Sequence, residues 1–468
     1  MIKKSLWGGK GIRRVFIVLA IAMLGSSVNI QAGVAQGPMR GLSRAQYVNN
    51  CYLGWNLGNT FDASGAMETG WGNPVTTQAM IDAVHKQGFK FMRLPVTWSK
   101  HFSTSSPYTI DAAFLARVVA VANYALNDSM YVMVNTHHDG GGLYTLSSTD
   151  PTSQAKVVAI WTQIANAFKD YSDYVSFEIF NEPQSGSTNM YGGGDATSRA
   201  ALAAYQTAAI AAIRATGGNN ATRMCVVQGI SASPIAVSVA TIPIPDANCI
   251  VSIHTYDPVN FSMNGSPTTW GSASDTAAVM KNLASEQAMV ASKGGVAIVG
   301  EWGTVSRDDL ASRVHHAQFY ARECRNHGMV AVWWDDGAGF HILNRKANPI
   351  TWAYPTIAQA LADGAKAGVF PGGIPISVEP PLKEEKNSLN SGLLIRAGII
   401  NYTLSRESSV SLSLYNMQGK IVSNLVQSNQ SAGKYAVKLP AEGISFGNYL
   451  IELKTGDNVR TKRLSIVK

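Results

Sequence analysis

Apolar, strand-like runs alternate with amphipathic helical patterns eight times over about 320 residues, and few architectures accommodate that repeat. The strand candidates are 52–58, 89–96, 130–136, 175–181, 224–230, 249–256, 296–301 and 329–335. Helical patterns lie between them at 76–87, 111–127, 154–171, 197–215, 276–293 and 309–326. In the second helix Asp111 stands at the start, and Phe114, Leu115, Val118, Val121 and Ala122 recur on one face. Gly88, Gly217, Gly294 and Gly328 follow four of the helices as C-terminal stops. The short, Pro-rich connection between the fifth and sixth strands argues against a helix there. Strand interiors such as Val296-Ala297-Ile298-Val299 are apolar throughout, as in a parallel sheet covered by helices. Eight such units predict an α/β fold, a (β/α)8 barrel rather than an open doubly wound sheet. Gly54 and Gly58 in GWNLGNT lack the spacing of a nucleotide-binding fingerprint.

The ends of the chain obey other rules. Lys3, Lys4, Lys10, Arg13 and Arg14 precede an apolar run, Val15 to Leu24, too short to span a bilayer; small residues follow, with Ile30 and Ala32 at plausible −3 and −1 positions for cleavage after Ala32. Residues 1–32 are therefore read as a signal peptide, and the mature protein as secreted or at the cell surface without a membrane span. The barrel is expected over 33–370. A linker rich in Pro, Gly and mixed charge follows at 371–388. Beyond it, 389–468 breaks into short alternating runs split by Gly and Asn, which predicts a small all-β sandwich. Val410, Leu412, Leu414 and Asn416 fall on one face there, Ser411 and Ser413 on the other. The net charge of +8 resides in the two ends, leaving 33–370 mildly acidic, so no basic stripe tracks nucleic acid. The four cysteines, Cys51, Cys225, Cys249 and Cys324, form no CxxC pair and sit in or beside apolar segments, where buried free thiols are expected.

In such barrels chemistry gathers at the C-terminal ends of the strands. Here those ends carry Asn56 and Asn59, Arg93, His137 and His138, Asn181 and Glu182, His254 and Tyr256, Glu301 and Trp302, and Trp333, Trp334 and Asp335. Glu182 and Glu301 end the fourth and seventh strands, which face each other across an eight-membered ring. Two opposed carboxylates are what glycosidic cleavage needs, one attacking the anomeric carbon while the other protonates the leaving oxygen. His254 and Tyr256, two residues apart, would flank a carboxylate from one side. Arg93, costly to bury alone, is expected against a carboxylate. Trp55, Trp71, Trp98, Trp302 and Trp334 offer flat faces for sugar rings. A metal reading of His137, His138, Asp139 and His254 is disfavoured by the absence of an HxH pair. A non-catalytic sugar-binding protein would use the same tryptophans, but has no need of the paired glutamates.

The runs GWNLGNTFDA, MRLPVTW, NTHHDGG, FEIFNEP, IHTYDP, VGEWG and VWWDDG, in that order over about residues 40–365, resemble glycoside hydrolase family 5. The similarity is greatest to its clostridial-type endoglucanase branch, which includes xyloglucan-active members. The resemblance implies retaining hydrolysis of β-1,4-glucans by a cofactor-free, metal-free enzyme, here expected to be a monomer. Glu182 would be the acid/base and Glu301 the nucleophile. Arg93 and Tyr256 would hold the nucleophile, Asn181 would bind the sugar 2-hydroxyl, and His137 and His254 would be site histidines. Trp334 would be the stacking platform, with His138, Trp71 and Asn56 as further substrate contacts. The one departure is Asp336, where the family's run has Asn. Cellulose-like and mixed-linkage β-glucans are the expected substrates, with xyloglucan or mannan as alternatives. VSLSLYNMQGKIVSNLV, GNYLIEL and VRTKRLSIVK resemble the C-terminal sorting domain of type IX secretion, whose machinery would be the partner.

Overall fold

The computed structural model describes residues 37–65, 67–184, 190–307 and 309–373, and in the tail 394–396, 399–404, 406–416, 420–439, 447–456 and 458–466. The signal-peptide reading and most of the linker reading lie outside the described residues. The chain divides into two compact units, 1–377 and 378–468.

In the first unit eight parallel strands close into a barrel in sequence order. They are β1 (Gly54–Leu57), β2 (Phe91–Leu94), β3 (Tyr131–Asn135), β4 (Val175–Glu178), β5 (Cys225–Val227), β6 (Cys249–His254), β7 (Ala297–Trp302) and β8 (Ala331–Asp335); a two-stranded ribbon, β9 (Leu343–Asn344) and β10 (Thr351–Trp352), follows the barrel. A short helix, α1 (Arg44–Cys51), precedes β1, a feature sequence periodicity did not reveal. The outer layer comprises α2 (Gln78–Lys86), α3 (Ala112–Asn127), α4 (Pro151–Ala167), α5 (Ala196–Ala215), the single turns α6 (Ala236–Val239) and α7 (Val259–Ser262), α8 (Ala273–Ser292), α9 (Leu310–Asn326) and α10 (Pro355–Ala367). The Pro-rich fifth connection thus yields only one helical turn, α6.

Local chemistry explains the boundaries. Asp111, Asp150 and Asp195 accept backbone N–H groups at the starts of α3, α4 and α5, and Ser272 closes a capping box with Asp275 on α8. Gly88, Gly217, Gly294 and Gly328 all take positive φ after their helices, as the stop reading requires. All four cysteines are buried and unbridged. Among the described residues no helix is long and apolar enough to cross a membrane.

The second unit is all β. One sheet orders β11 (Leu394–Arg396), β12 (Ile399–Leu404) and β15 (Gly433–Lys438); the other orders β14 (Ile421–Gln430), β13 (Ser408–Asn416), β16 (Gly447–Thr455) and β17 (Asn458–Ile466). Its core holds Val410, Leu412 and Leu414 with Ile400, Tyr402, Ile451 and Leu453. Two placements differ from the alternation reading. Ser413 is buried, its hydroxyl 2.9 Å from Asn424 Oδ1, and Asn416 is only half-buried, its side chain receiving Lys420 N–H across the turn.

Candidate active site

Arg93 is the hub of the barrel mouth. Its guanidinium is fully buried and donates to four partners: Glu178 Oε2 at 2.7 Å, Asn56 Oδ1 at 2.9 Å, Glu301 Oε1 at 2.7 Å and Asn181 Oδ1 at 2.7 Å. Burial works against the charge, and the carboxylates of Glu178 and Glu301 outweigh it. Glu301 lies within β7, and its second oxygen accepts the Tyr256 hydroxyl at 3.1 Å. Burial, reinforced by the charge of Glu301, lifts the Tyr256 phenol well above its ordinary range, so it remains a donor.

Glu182 stands four residues past the end of β4, and its Oε1 is 2.7 Å from His254 Nδ1. The same imidazole nitrogen is 3.7 Å from Glu301 Oε2. An oxygen of each glutamate and a nitrogen of His254 all lie within 4.8 Å of one another. The glutamates differ in access: the Glu182 side chain is 28% exposed and that of Glu301 is 7%. Burial pushes Glu301 above the ordinary carboxylate range, with His254 and Arg93 opposing and Glu182 adding to the rise. Burial also works on Glu182, but the hydrogen bond and charge of His254 outweigh it and hold it below that range. His254 is raised: burial opposes its charged form, and the Glu301 and Glu182 carboxylates overcome that. The cleft therefore keeps a proton on the His254–Glu182 hydrogen bond, while Arg93 and Tyr256 supply donors to Glu301.

A wall of flat rings runs beside this pair. Trp71, 45% exposed, lies 5.7 Å from the His138 ring; His138 lies 4.4 Å from His137; His137 and Trp334 are parallel at 5.8 Å. Because β3 ends at Asn135, both histidines follow the strand and reach the same wall. Gly58 makes room for Trp334, since a Cβ there would lie 2.8 Å from the indole.

Several expected contacts are placed differently. Trp55, Trp98 and Trp302 are fully buried and present no face to a ligand; Trp55 donates to Asp335 and Trp98 to the Asn135 carbonyl. Asn56, expected to touch substrate, is fully buried instead, bracing Arg93 with its oxygen while its nitrogen donates to the carbonyls of Gly300 and Trp333. Asp336 accepts the backbone N–H groups of Ala338, Gly339 and Phe340, which shapes the loop after β8. Tyr256 lies beyond β6, which ends at His254, yet still reaches Glu301.

Among the described residues two groups are close enough to hold an ion, and neither donor set suits one. In Asp62, His137 and His138 the proton of His137 is fixed away from Nδ1. Asn135 Oδ1 accepts Val96 N–H, so its Nδ2 faces Nδ1 at 3.1 Å and places the His137 proton on Nε2, toward Asp62. Burial, with His138 and Arg93 adding, keeps His137 neutral, well below the ordinary histidine range. In Glu182, His254 and Glu301 the nitrogen facing both carboxylates carries a proton rather than a lone pair. Asp139, weighed as a ligand, is buried and receives the N–H groups of Trp98 and Ser99.

Three supporting residues escaped the sequence reading: Glu178, Asn135 and Asp62. The signal for Glu178 was present, a lone carboxylate inside the apolar run FEIF.

A profile of the family described as "Cellulase (glycosyl hydrolase family 5)" matches residues 57–339, and one described as "Secretion system C-terminal sorting domain" matches 396–467. Endoglucanase B of Clostridium cellulovorans is 39% identical over 380 residues, 78% of this chain and 86% of that protein. A broad specificity endoglucanase from Clostridium acetobutylicum superposes with a TM-score of 0.66 at 37% identity, over 69% of this chain and 99% of that one. A xyloglucan-specific endo-β-1,4-glucanase from a metagenomic library, in complex with cellotriose, gives 0.63 at 35% identity over 68% and 97%. The chain belongs to glycoside hydrolase family 5, as a cellulase-type glycoside hydrolase with a C-terminal secretion sorting domain.

Proposed function

We propose that the protein is an endo-β-1,4-glucanase that hydrolyses internal glucosidic bonds with retention of anomeric configuration, Glu301 being the nucleophile and Glu182 the acid/base. The observation that carries this reading is the approach of the two carboxylates, with one oxygen of each within 4.8 Å. Retaining pairs sit about 5–5.5 Å apart, and inverting pairs about 6.5–9.5 Å, to leave room for water. In the first step a Glu301 oxygen bonds to the anomeric carbon as the bond to the leaving sugar breaks. The proton of the His254–Glu182 hydrogen bond passes through Glu182 to the departing oxygen, leaving that pair one proton poorer. In the second step water attacks the glycosyl–Glu301 ester, gives its proton to Glu182, and releases Glu301. Arg93 and Tyr256 hold Glu301 in line, and Asn181, with its oxygen taken by Arg93, has its amide nitrogen for the sugar 2-hydroxyl.

Substrate range follows from the open, aromatic-lined wall of Trp71, His138, His137 and Trp334. It suits an unbranched glucan of the cellulose or mixed-linkage type. Xyloglucan is the second reading, favoured by the similarity to a xyloglucan-specific relative. We infer that the protein is exported through its signal peptide and then by the type IX route through 389–468, which leaves it outside the cell. Proton NMR of the first products of β-glucan cleavage tests the chemistry. The β-anomer appearing first is expected, and initial α-anomer would end the retaining reading.

A further inference from the structure

Glu178 is the last residue of β4, with its side chain fully buried beneath the mouth. Its Oε2 receives Arg93 at 2.7 Å and Asn135 Nδ2 at 2.9 Å, while Oε1 has no partner among the described residues. Asn135 cannot reverse, because its oxygen accepts Val96 N–H at 2.9 Å. A carboxylate enclosed in this way, with one oxygen unsatisfied, is an expensive group to keep unless its charge has a use. Its ion-pair partner, Arg93, is the same guanidinium that grips Glu301 at 2.7 Å. One cation therefore serves two anions.

We propose that Glu178 is a positioning residue that shares the charge of Arg93 with Glu301, so that Arg93 orients the nucleophile without quenching it. The inference rests on Glu301 being the nucleophile. If Glu178 were neutral, the full field of Arg93 would fall on Glu301, which would hold its charge more tightly and attack carbon less readily. The charged and titratable groups facing Glu301 are Arg93 from β2, Glu182 from beyond β4, and His254 and Tyr256 from β6 and its end, with Asp62 acting on it at longer range. Those facing Glu178 are Arg93 and, through Asn135, His137. Of these, Arg93 alone links Glu178 to Glu301.

The test uses the full chain and 2,4-dinitrophenyl 2-deoxy-2-fluoro-β-cellobioside. This probe transfers its sugar to the nucleophile and expels dinitrophenolate with the electron pair, so no acid is needed and the pH dependence reports the nucleophile. In Glu178→Gln, which keeps shape and removes charge, the acid limb of inactivation should move down by about 0.5–1 pH unit. The plateau rate should fall roughly 3-fold, as expected for a nucleophile about one unit less basic. Glu178→Asp, whose carboxylate is set back from Arg93, should shift the limb in the same direction by less, and it decides the matter if Glu178→Gln does not fold. Mass spectrometry of the labelled protein separates the two ideas. A label on Glu301 with an unmoved or raised limb overturns the role of Glu178 alone. A label on another residue overturns both that role and the assignment of the nucleophile. Slower inactivation or a lower melting point with the limb in place would mean a merely structural Glu178, and would also overturn the proposal.

Discussion

Gly58→Ala probes the aromatic wall through its support. A Cβ at position 58 would stand 2.8 Å from Trp334 Cη2, 2.9 Å from Trp334 Cζ2 and 2.9 Å from the Asp335 carbonyl. Carbon atoms pack comfortably at about 3.5–4.0 Å, so something must yield by roughly 0.7 Å or more. The backbone of residue 58 cannot: its N–H donates to Asp335 O at 2.9 Å, and its carbonyl receives Arg345 at 2.9 Å. Trp334 is only half-buried, and its ring can tilt. The Asp335 carbonyl, a backbone atom held by the Gly58 N–H and by Arg345, has less freedom to move, so the strain on the fold should be about 1–3 kcal/mol. The tilt breaks the parallel alignment with His137 and misplaces the face offered to sugar. An aromatic contact of this kind contributes about 0.5–1.5 kcal/mol, so kcat/KM on β-glucan should fall roughly 2–12-fold. The decisive assay is a double-mutant cycle with Trp334→Ala. If Gly58 acts through the indole, Gly58→Ala should change nothing further once Trp334 is removed. An equal loss in both backgrounds would refute the reasoning.

Three further outcomes follow from the same geometry. Activity should be bell-shaped in pH: Glu301 must be ionised and burial raises it, placing the acid limb above 4.5, while the proton of the His254–Glu182 pair must be retained and His254 is raised, placing the basic limb above 6.5; limbs below those values in kcat/KM profiles would contradict the charge order. Arg93→Lys keeps the charge but offers one nitrogen where four partners are served, so the melting temperature should drop by roughly 6 °C or more and kcat/KM by at least about 100-fold; calorimetry finding the variant within 2 °C of the parent would count against the hub. Deleting 378–468, the second compact unit, should leave turnover of soluble glucan near that of the full chain while stopping passage out of the periplasm in the natural host; lost turnover in the truncated, folded protein would show that the tail belongs to the catalytic fold.

The barrel was readable because most connections repeat the same local instructions: an apolar strand, an amphipathic helix and, after four of the helices, a left-handed glycine stop. The facing glutamates were readable because a charged residue directly after an apolar strand is costly without a purpose. What escaped were distinctions of direction. A buried parallel strand is apolar on both faces, so nothing in LGWNL indicates whether Trp55 points to the helices or to the mouth, and Trp98 and Trp302 pose the same ambiguity. Asn56 looked like a ligand contact because polarity at a strand end signals function without saying which shell of the site it occupies. Glu178 falls inside the expected strand 175–181 rather than past its end, so the rule that located Glu182 passed over it, although β4 itself ends at Glu178. In the tail, the bulges between β13 and β14 at Leu412/Ser413 and Leu414/Tyr415 upset simple alternation near Ser413 and Asn416.

The most direct test of the assigned roles is azide rescue of Glu182→Ala and Glu301→Ala, read by product stereochemistry. With an activated aryl β-cellobioside, Glu182→Ala should still form the ester on Glu301, and azide should release it as the β-glycosyl azide. In Glu301→Ala azide should take the place of the missing carboxylate and give the α-glycosyl azide. Opposite anomers from the two variants are the predicted result; the same anomer from both would contradict the account.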